Sequence, residues 1–218
     1  MKIGLVGDIH LPRYWDLFKK AVENLDKDVE IIFFLGDLTD GFFMYIRKIY
    51  ETVKKYHENI KIYSIFGNNE YLDYRDYLKK EFPFMNWIDD EVVKINNYNF
   101  IGTEGVLDEP TKWMEKNKPE IRDIWKKRLK KIEELLKNYK NIIVLSHYAP
   151  VLETTFGDPC PPSLLGSREF EKLILKYKPL YVFHAHSHYS KVWYKKVGET
   201  EVYNVSFPIH KKIFTIEI

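Results

Sequence analysis

Five short segments of this chain concentrate residues able to hold a metal ion. They are Gly7-Asp8-Ile9-His10, Gly36-Asp37-Leu38-Thr39-Asp40, Gly67-Asn68-Asn69-Glu70, Ser146-His147 and His184-Ala185-His186-Ser187-His188. Asp, His and Asn without cysteine form a borderline-hard donor set, suited to Mn²⁺, Fe, Zn²⁺, Co²⁺ or Ni²⁺. Asp8 and His10 are one residue apart, so in an extended segment both side chains project to one side and reach one ion. A carboxylate such as Asp37 has two oxygens and can bridge two ions. Seven ligands are too many for one transition ion and suit two. A pair about 3.5–4 Å apart can hold a hydroxide and clamp a phosphoryl group for in-line displacement.

Positioning such donors requires a common edge, and the flanking sequence supplies one. The five segments follow apolar runs of strand length: Ile3–Val6, Ile31–Leu35, Ile60–Phe66, Ile142–Leu145 and Leu180–Phe183. Runs nearly continuous in Ile, Val, Leu and Phe predict strands buried on both faces. In α/β sheets, ligands bind at the carboxyl ends of such strands. One polar residue there is an ordinary cap or a satisfied core group; five together are hard to assign to capping. Between the strands lie amphipathic stretches, the clearest from about Pro119 to Tyr139, where Ile121, Ile124, Trp125, Leu129, Ile132, Leu135, Leu136 and Tyr139 recur at helical spacing. Its basic run, Lys126-Lys127-Arg128 and Lys130-Lys131, reads as the solvated face opposite that stripe rather than as a nucleic-acid contact.

Glu91–Ile95 and Asn97–Ile101 predict a hairpin around Asn96-Asn97, and Lys191–Val197, Glu201–Val205 and Ile213–Ile218 predict three further strands. The expected fold class is therefore α/β, with two sheets, partly antiparallel, packed face to face and helices outside. Repeats, low-complexity tracts and Gly/Ser linkers are missing, and 218 residues fit a single domain, 1–218.

Composition excludes several function classes. With 45% hydrophobic and 30% charged residues the chain has a globular composition, and a net charge of +2 gives no broad basic field. Nucleic acid is thus a possible partner that charge does not indicate. The single cysteine, Cys160, sits in Asp158-Pro159-Cys160-Pro161-Pro162, forbids an intrachain disulfide and reads as an unreactive thiol. The first apolar run is too short for a signal peptide, and no run approaches the ~18 residues of a membrane span, so the expected location is cytoplasmic.

The five blocks, in their order from Asp8 to His188, resemble the signature of the calcineurin-like metallophosphoesterases. The resemblance spans nearly the whole chain. It implies a four-layer αββα sandwich and an enzyme that hydrolyses phosphate esters with two divalent transition-metal ions, manganese first among them. Residue by residue, it implies that Asp8, His10 and His188 bind one metal, that Asp37 bridges, and that Asn68, His147 and His186 bind the other. Asp40 and Glu70 match acids with supporting roles. Two departures stand out. Ala185 replaces the usual Gly of the last block, and Asn69 replaces the His that, in strong phosphatases of the family, protonates the leaving oxygen. An amide cannot act as a general acid, an effect worth about 10²–10⁴-fold; it can only donate a hydrogen bond to developing charge. Asn69 and Asp37 are therefore the residues expected to shape catalysis, with phosphodiesters favoured over monoesters.

His184 is read as a buried, hydrogen-bonded residue rather than an eighth ligand. The loops Thr103–Lys118 and Leu152–Ser167, with Lys112, Trp113, Phe156 and Arg168, are where specificity is expected. The alternative function is a non-catalytic interaction protein that keeps the fold; a DNA-repair nuclease ranks below both.

Overall fold

The computed structural model describes residues 1–218. In chain order its elements are β1 (Lys2–Val6), α1 (Trp15–Glu23), β2 (Ile31–Leu35), α2 (Met44–Tyr56), β3 (Lys61–Ile65), α3 (Arg75–Glu81), β4 (Glu91–Ile95), β5 (Tyr98–Thr103), α4 (Lys112–Asn117), α5 (Ile121–Asn138), β6 (Ile142–Ser146), α6 (Arg168–Tyr177), β7 (Tyr181–His184), β8 (Tyr194–Val197), β9 (Thr200–Asn204), α7 (Phe207–His210) and β10 (Phe214–Glu217).

Strand β2 shows why the apolar runs are continuous. Ile31, Phe33 and Leu35 face the interior between two sheets, where with Ile3 and Leu5 they meet Phe100, Ile143, Leu145 and Phe183. Ile32 and Phe34 point the other way, beneath Phe18 and Val22 of α1 and Ile46, Ile49 and Val53 of α2. The second sheet repeats the plan: Ile101, Val144, Val182 and Val202 pack outward against Trp125, Ile132 and Leu135 of α5 and Phe170 and Ile174 of α6. A strand with an apolar layer on each face has no solvent side on which to alternate polar residues. Each large side chain buried this way contributes about 1.5–3 kcal/mol. The result is the four-layer αββα sandwich of two mixed sheets.

The first sheet has the order β10-β1-β2-β3, the second β4-β5-β6-β7-β9-β8. Pairing is parallel through β1-β2-β3 and through β5-β6-β7-β9, while β10, β4 and β8 pair antiparallel at the edges. Register places Val6 beside Phe34, Leu35 beside Ile65, Thr103 beside Ser146 and Ser146 beside His184. Parallel strands in such register deliver their following residues to one edge.

Three details differ from what the sequence predicts, the first being β8, which starts at Tyr194 rather than Lys191. Strand β5 begins at Tyr98, because Asn96 takes a left-handed φ of 52° and Ile95 pairs with Tyr98, leaving Asn96-Asn97 as the turn. On α5, Lys126, Lys127, Lys130 and Lys131 are exposed as expected, but Arg128 is buried. Its neighbours are carboxylates described below. No helix is long and apolar enough to cross a membrane.

Candidate metal centre

The loops after β1 and β2 continue to hydrogen-bond beyond the strands. Asp8 N donates to Gly36 O, His10 N to Asp37 O and Leu11 N to Leu38 O. This brings Asp8 and His10 beside Asp37. The backbone there is not extended: Asp8, His10, Asp37 and His186 all have positive φ, at 57°, 41°, 50° and 68°. The expectation that period-two alternation aims Asp8 and His10 is corrected accordingly. Left-handed turns aim them, and Asp and His tolerate that region better than most residues. Ala185 does not need a positive φ; the left-handed residue is its neighbour His186.

Two triads result. Potential ligand atoms of Asp8, His10 and His188 lie within 4.8 Å of one another, and so do those of Asp37, His147 and His186. Asp37 stands between them. Its Oδ1 is 3.5 Å from His147 Nε2 and its Oδ2 is 3.7 Å from His10 Nε2. Asn68 Oδ1 is 3.0 Å from His147 Nε2, so the third block also reaches this cluster. Gly67 makes room: a Cβ on it would sit 2.4 Å from Asp37 Oδ1.

The surroundings aim these atoms. Asp40 Oδ1 lies 2.9 Å from His10 Nδ1, and Leu35 O 2.9 Å from His147 Nδ1, leaving each Nε2 for the cluster. Asp8 Oδ2 accepts hydrogen bonds from His186 N and from the Ser206 hydroxyl. Glu70 accepts from the backbone N–H groups of Asp37, Leu38 and Gly67, tying the second and third blocks together. His184 uses both ring nitrogens, on Thr154 Oγ1 and Ala185 O, and burial lowers it to about 4; it is not part of either triad.

The donor set fits divalent cations. Asp8 Oδ1 is buried without a hydrogen-bond partner, an arrangement costly unless a cation or donor meets it. Burial would raise the Asp8 carboxyl, but His188, His147 and His10 outweigh it and hold Asp8 below the usual carboxylate range. Burial pushes Asp37 up to about 7, with His10 opposing and Asp8's charge adding to the rise. Burial likewise raises Glu70 to about 7 and lowers His186 to about 3. A ligand must be deprotonated to bind an ion, so the neutral His186 imidazole suits one, and a bound cation would favour the ionised form of Asp37.

The family model for calcineurin-like phosphoesterases matches residues 1–190. The chain belongs to this family. Among solved structures it is similar to phosphopantetheinyl hydrolase from Mycobacterium tuberculosis, with 15% identity over 94% of this chain and 88% of that one and a TM-score of 0.68. A dimetal phosphatase from Danio rerio superposes with a TM-score of 0.62 at 13% identity, covering 99% and 91% of the two chains. GAP50, the anchor in the inner membrane complex of Plasmodium, gives 0.54 at 12% identity, covering 95% and 72%. At these identities the likeness concerns the fold. No curated protein matches the sequence. As a family member with two candidate metal-binding Asp/His clusters, the chain is a metallophosphoesterase.

Asn69 sits within the site but is engaged by the loop. Its backbone N–H donates to Asp37 Oδ1 at 2.8 Å, its Nδ2 to Thr39 O at 3.2 Å, and its Oδ1 accepts from Asn68 Nδ2. Nδ2 also lies 3.3 Å from His10 Nδ1, but if that nitrogen's proton faces Asp40 it cannot accept from Asn69.

Of the side chains expected to contact substrate, Trp113 and Phe156 are about half exposed, and Trp113 stacks on Tyr71, two residues after Asn69. Arg168 pairs with Asp108. The 440 Å³ groove between α5 and α6 is lined by none of the seven candidate ligands and stands apart from the centre.

Sequence reasoning missed two features. One is Ser206, which follows β9 at the same edge as the five blocks; the strand-end logic applied there would have found it. The other is a buried ionic cluster. Glu104 Oε2 accepts from Arg75 Nη2 at 2.7 Å and from Arg128 Nη1 at 2.8 Å, while Arg128 Nε donates to Asp90 at 2.9 Å. Arg75 Nε in turn donates to Glu70 O, joining this cluster to the metal-site loops.

Proposed function

We propose that this chain is a dimetal phosphohydrolase, with Asp8, His10 and His188 holding one ion, Asn68, His147 and His186 the other, and Asp37 shared. The observation that carries the reading is the placement of Asp37, whose two oxygens face the two triads. When bound, the ions, manganese first among the divalent choices, would neutralise phosphoryl charge and make a nucleophile available near neutral pH.

The chain's own residues do the positioning. Ser206 and the His186 N–H occupy Asp8 Oδ2 and leave Oδ1 facing the first cluster. Asp40 and Leu35 O orient His10 and His147. Glu70 keeps the Asp37 turn and the Gly67-Asn68 turn at fixed separation. Asn69 can stabilise developing charge by hydrogen bonding but carries no proton to give. Departure of poor leaving groups is therefore the weak step, which favours phosphodiesters with stable leaving groups over alkyl monoesters. The GAP50 likeness keeps a scaffold role as the second reading. Retention of all seven donors supports catalysis, since a scaffold has no use for four converging imidazoles.

The test is metal content followed by turnover. Protein reconstituted with Mn²⁺ is expected to hold two ions per chain and to hydrolyse a chromogenic aryl phosphodiester. Asp37→Ala should lose turnover and at least one ion while keeping its circular dichroism spectrum. Wild-type turnover by Asp37→Ala at saturating metal would refute the shared-carboxylate centre.

A further inference from the structure

Three of the four histidines in the two triads have a fixed partner on the nitrogen that faces away from the cluster. His10 has Asp40, His147 has Leu35 O, and His186 Nε2 lies 3.3 Å from Leu164 O. Such partners set the tautomer and ring orientation of a ligating imidazole. His188 has none. Its polar ring contacts are both on the cluster side, at 3.3 Å to His10 Nε2 and 3.4 Å to Asp8 Oδ1. Its only other ring neighbour among the aromatics beyond His10 is the adjacent Tyr189, edge-on at 6.2 Å, and its side chain is 24% exposed. It also lies beyond the end of β7, in a stretch without ladder pairing. With no hydrogen bond on its outer nitrogen, His188 is held through the residues that flank it.

The structure provides one carboxylate for this. Asp158 Oδ2 accepts from Ser187 Oγ at 3.0 Å and from Tyr189 N at 3.0 Å, the residues on either side of His188. Its Oδ1 accepts from Cys160 N at 3.0 Å, which fixes the carboxylate within its own loop. The same loop grips the segment again where Phe156 O accepts from Ser190 Oγ and from Lys191 N. The loop thus serves as a brace for the last histidine block, besides any contact with substrate.

We propose that Asp158 is the positioning residue for His188 and thereby sets the affinity of the ion held by Asp8, His10 and His188. The inference rests on the dimetal reading above. Removing Asp158 releases Ser187 Oγ and Tyr189 N while Asn204 Nδ2 still holds Ser187 O, so the slack falls on the His188 side and weakens that site. His186, on the other side of Ser187, keeps its own contacts with Asp8 Oδ2 and Leu164 O, which spares the second site. Losing a group that orients a ligand typically costs about 10–100-fold in metal affinity.

The experiment is calorimetric titration of metal-free protein with Mn²⁺, for the wild type, Asp158→Ala, Asp158→Asn and His188→Ala. His188→Ala identifies the binding step that belongs to the first triad. Asp158→Ala is expected to weaken that step by about 10–100-fold and leave the other within about threefold. Asp158→Asn keeps an acceptor oxygen and should fall between Asp158→Ala and wild type; it carries the test if Asp158→Ala does not fold. A wild-type isotherm for the Asp158 variants overturns the proposal. So does equal weakening of both steps, which is the mark of a general structural defect. If the wild type itself takes up fewer than two ions, the dimetal reading falls and this inference falls with it, a result distinct from either of the others.

Discussion

Glu104 lies between two guanidinium groups, one of which also reaches the Glu70 carbonyl, and its removal tests what this buried cluster contributes to stability. The side chains of Glu104, Arg75 and Arg128 are 8%, 6% and 4% exposed. Glu104→Ala leaves two buried cations short of a partner, and breaking a buried pair from one side costs about 3–5 kcal/mol. Arg128 keeps Asp90 at 2.9 Å and Arg75 keeps Asp89 at 3.4 Å, so the lower end, about 3 kcal/mol, applies. In a chain of this size that lowers Tm by roughly 6–12 °C. Glu104→Gln keeps the shape and one acceptor and should lose less.

The two replacements also separate by pH. Burial opposes ionisation of Glu104, but Arg75 and Arg128 outweigh it and hold the carboxyl below its ordinary range. A folded-state pKa below the unfolded one stabilises the protein above the unfolded value, about 4.3 for Glu, and that stability is lost as pH falls through the folded value. The gap between wild type and Glu104→Gln should therefore be widest near neutrality and narrow below about pH 4. Calorimetric melting of metal-free protein across this range measures both effects. A Tm for Glu104→Ala within about 2 °C of wild type, or a gap to Glu104→Gln unchanged in acid, would refute the argument.

Two other expectations follow from particular contacts. A Cβ on Gly7 would lie 2.4 Å from Ala185 Cβ and 3.1 Å from Leu35 O, so Gly7→Ala should cost about 1–3 kcal/mol by overpacking, and Gly7→Ala/Ala185→Gly should recover part of it in a denaturant double-mutant cycle; simple additivity would show that the two positions do not compete. Asn69→His should raise kcat/KM selectively for poor leaving groups, by no more than the about 10²–10⁴-fold a well-placed acid supplies, and by less if the new ring takes over the Thr39 contact. A flat dependence of wild-type kcat/KM on leaving-group pKa would show that leaving-group departure is not the weak step.

Much of this was legible in the residues. The strands announced themselves because burial on both faces produces continuous apolar runs, as in Ile31–Leu35, and that is a local property of composition. The donors were legible because Asp, Asn and His after five such strands are chemically conspicuous, and parallel register carries the first three blocks to one edge of the first sheet and the last two to one edge of the second. Tertiary structure alone decided how they are aimed. The left-handed backbone at Asp8, His10, Asp37 and His186 is imposed by the hydrogen-bonded loops around it, and no spacing rule encodes it. Arg128 read as one more solvated cation because a helical stripe reports which residues are polar and not what they meet; Glu104 and Asp90 reach it from just after β5 and just before β4. Ser206 and Asp158 act across 198 residues to Asp8 and about 30 to the flanks of His188. Local patterns record burial and donor chemistry. Which polar group completes which depends on distances through space, and these exist only once the two sheets have packed.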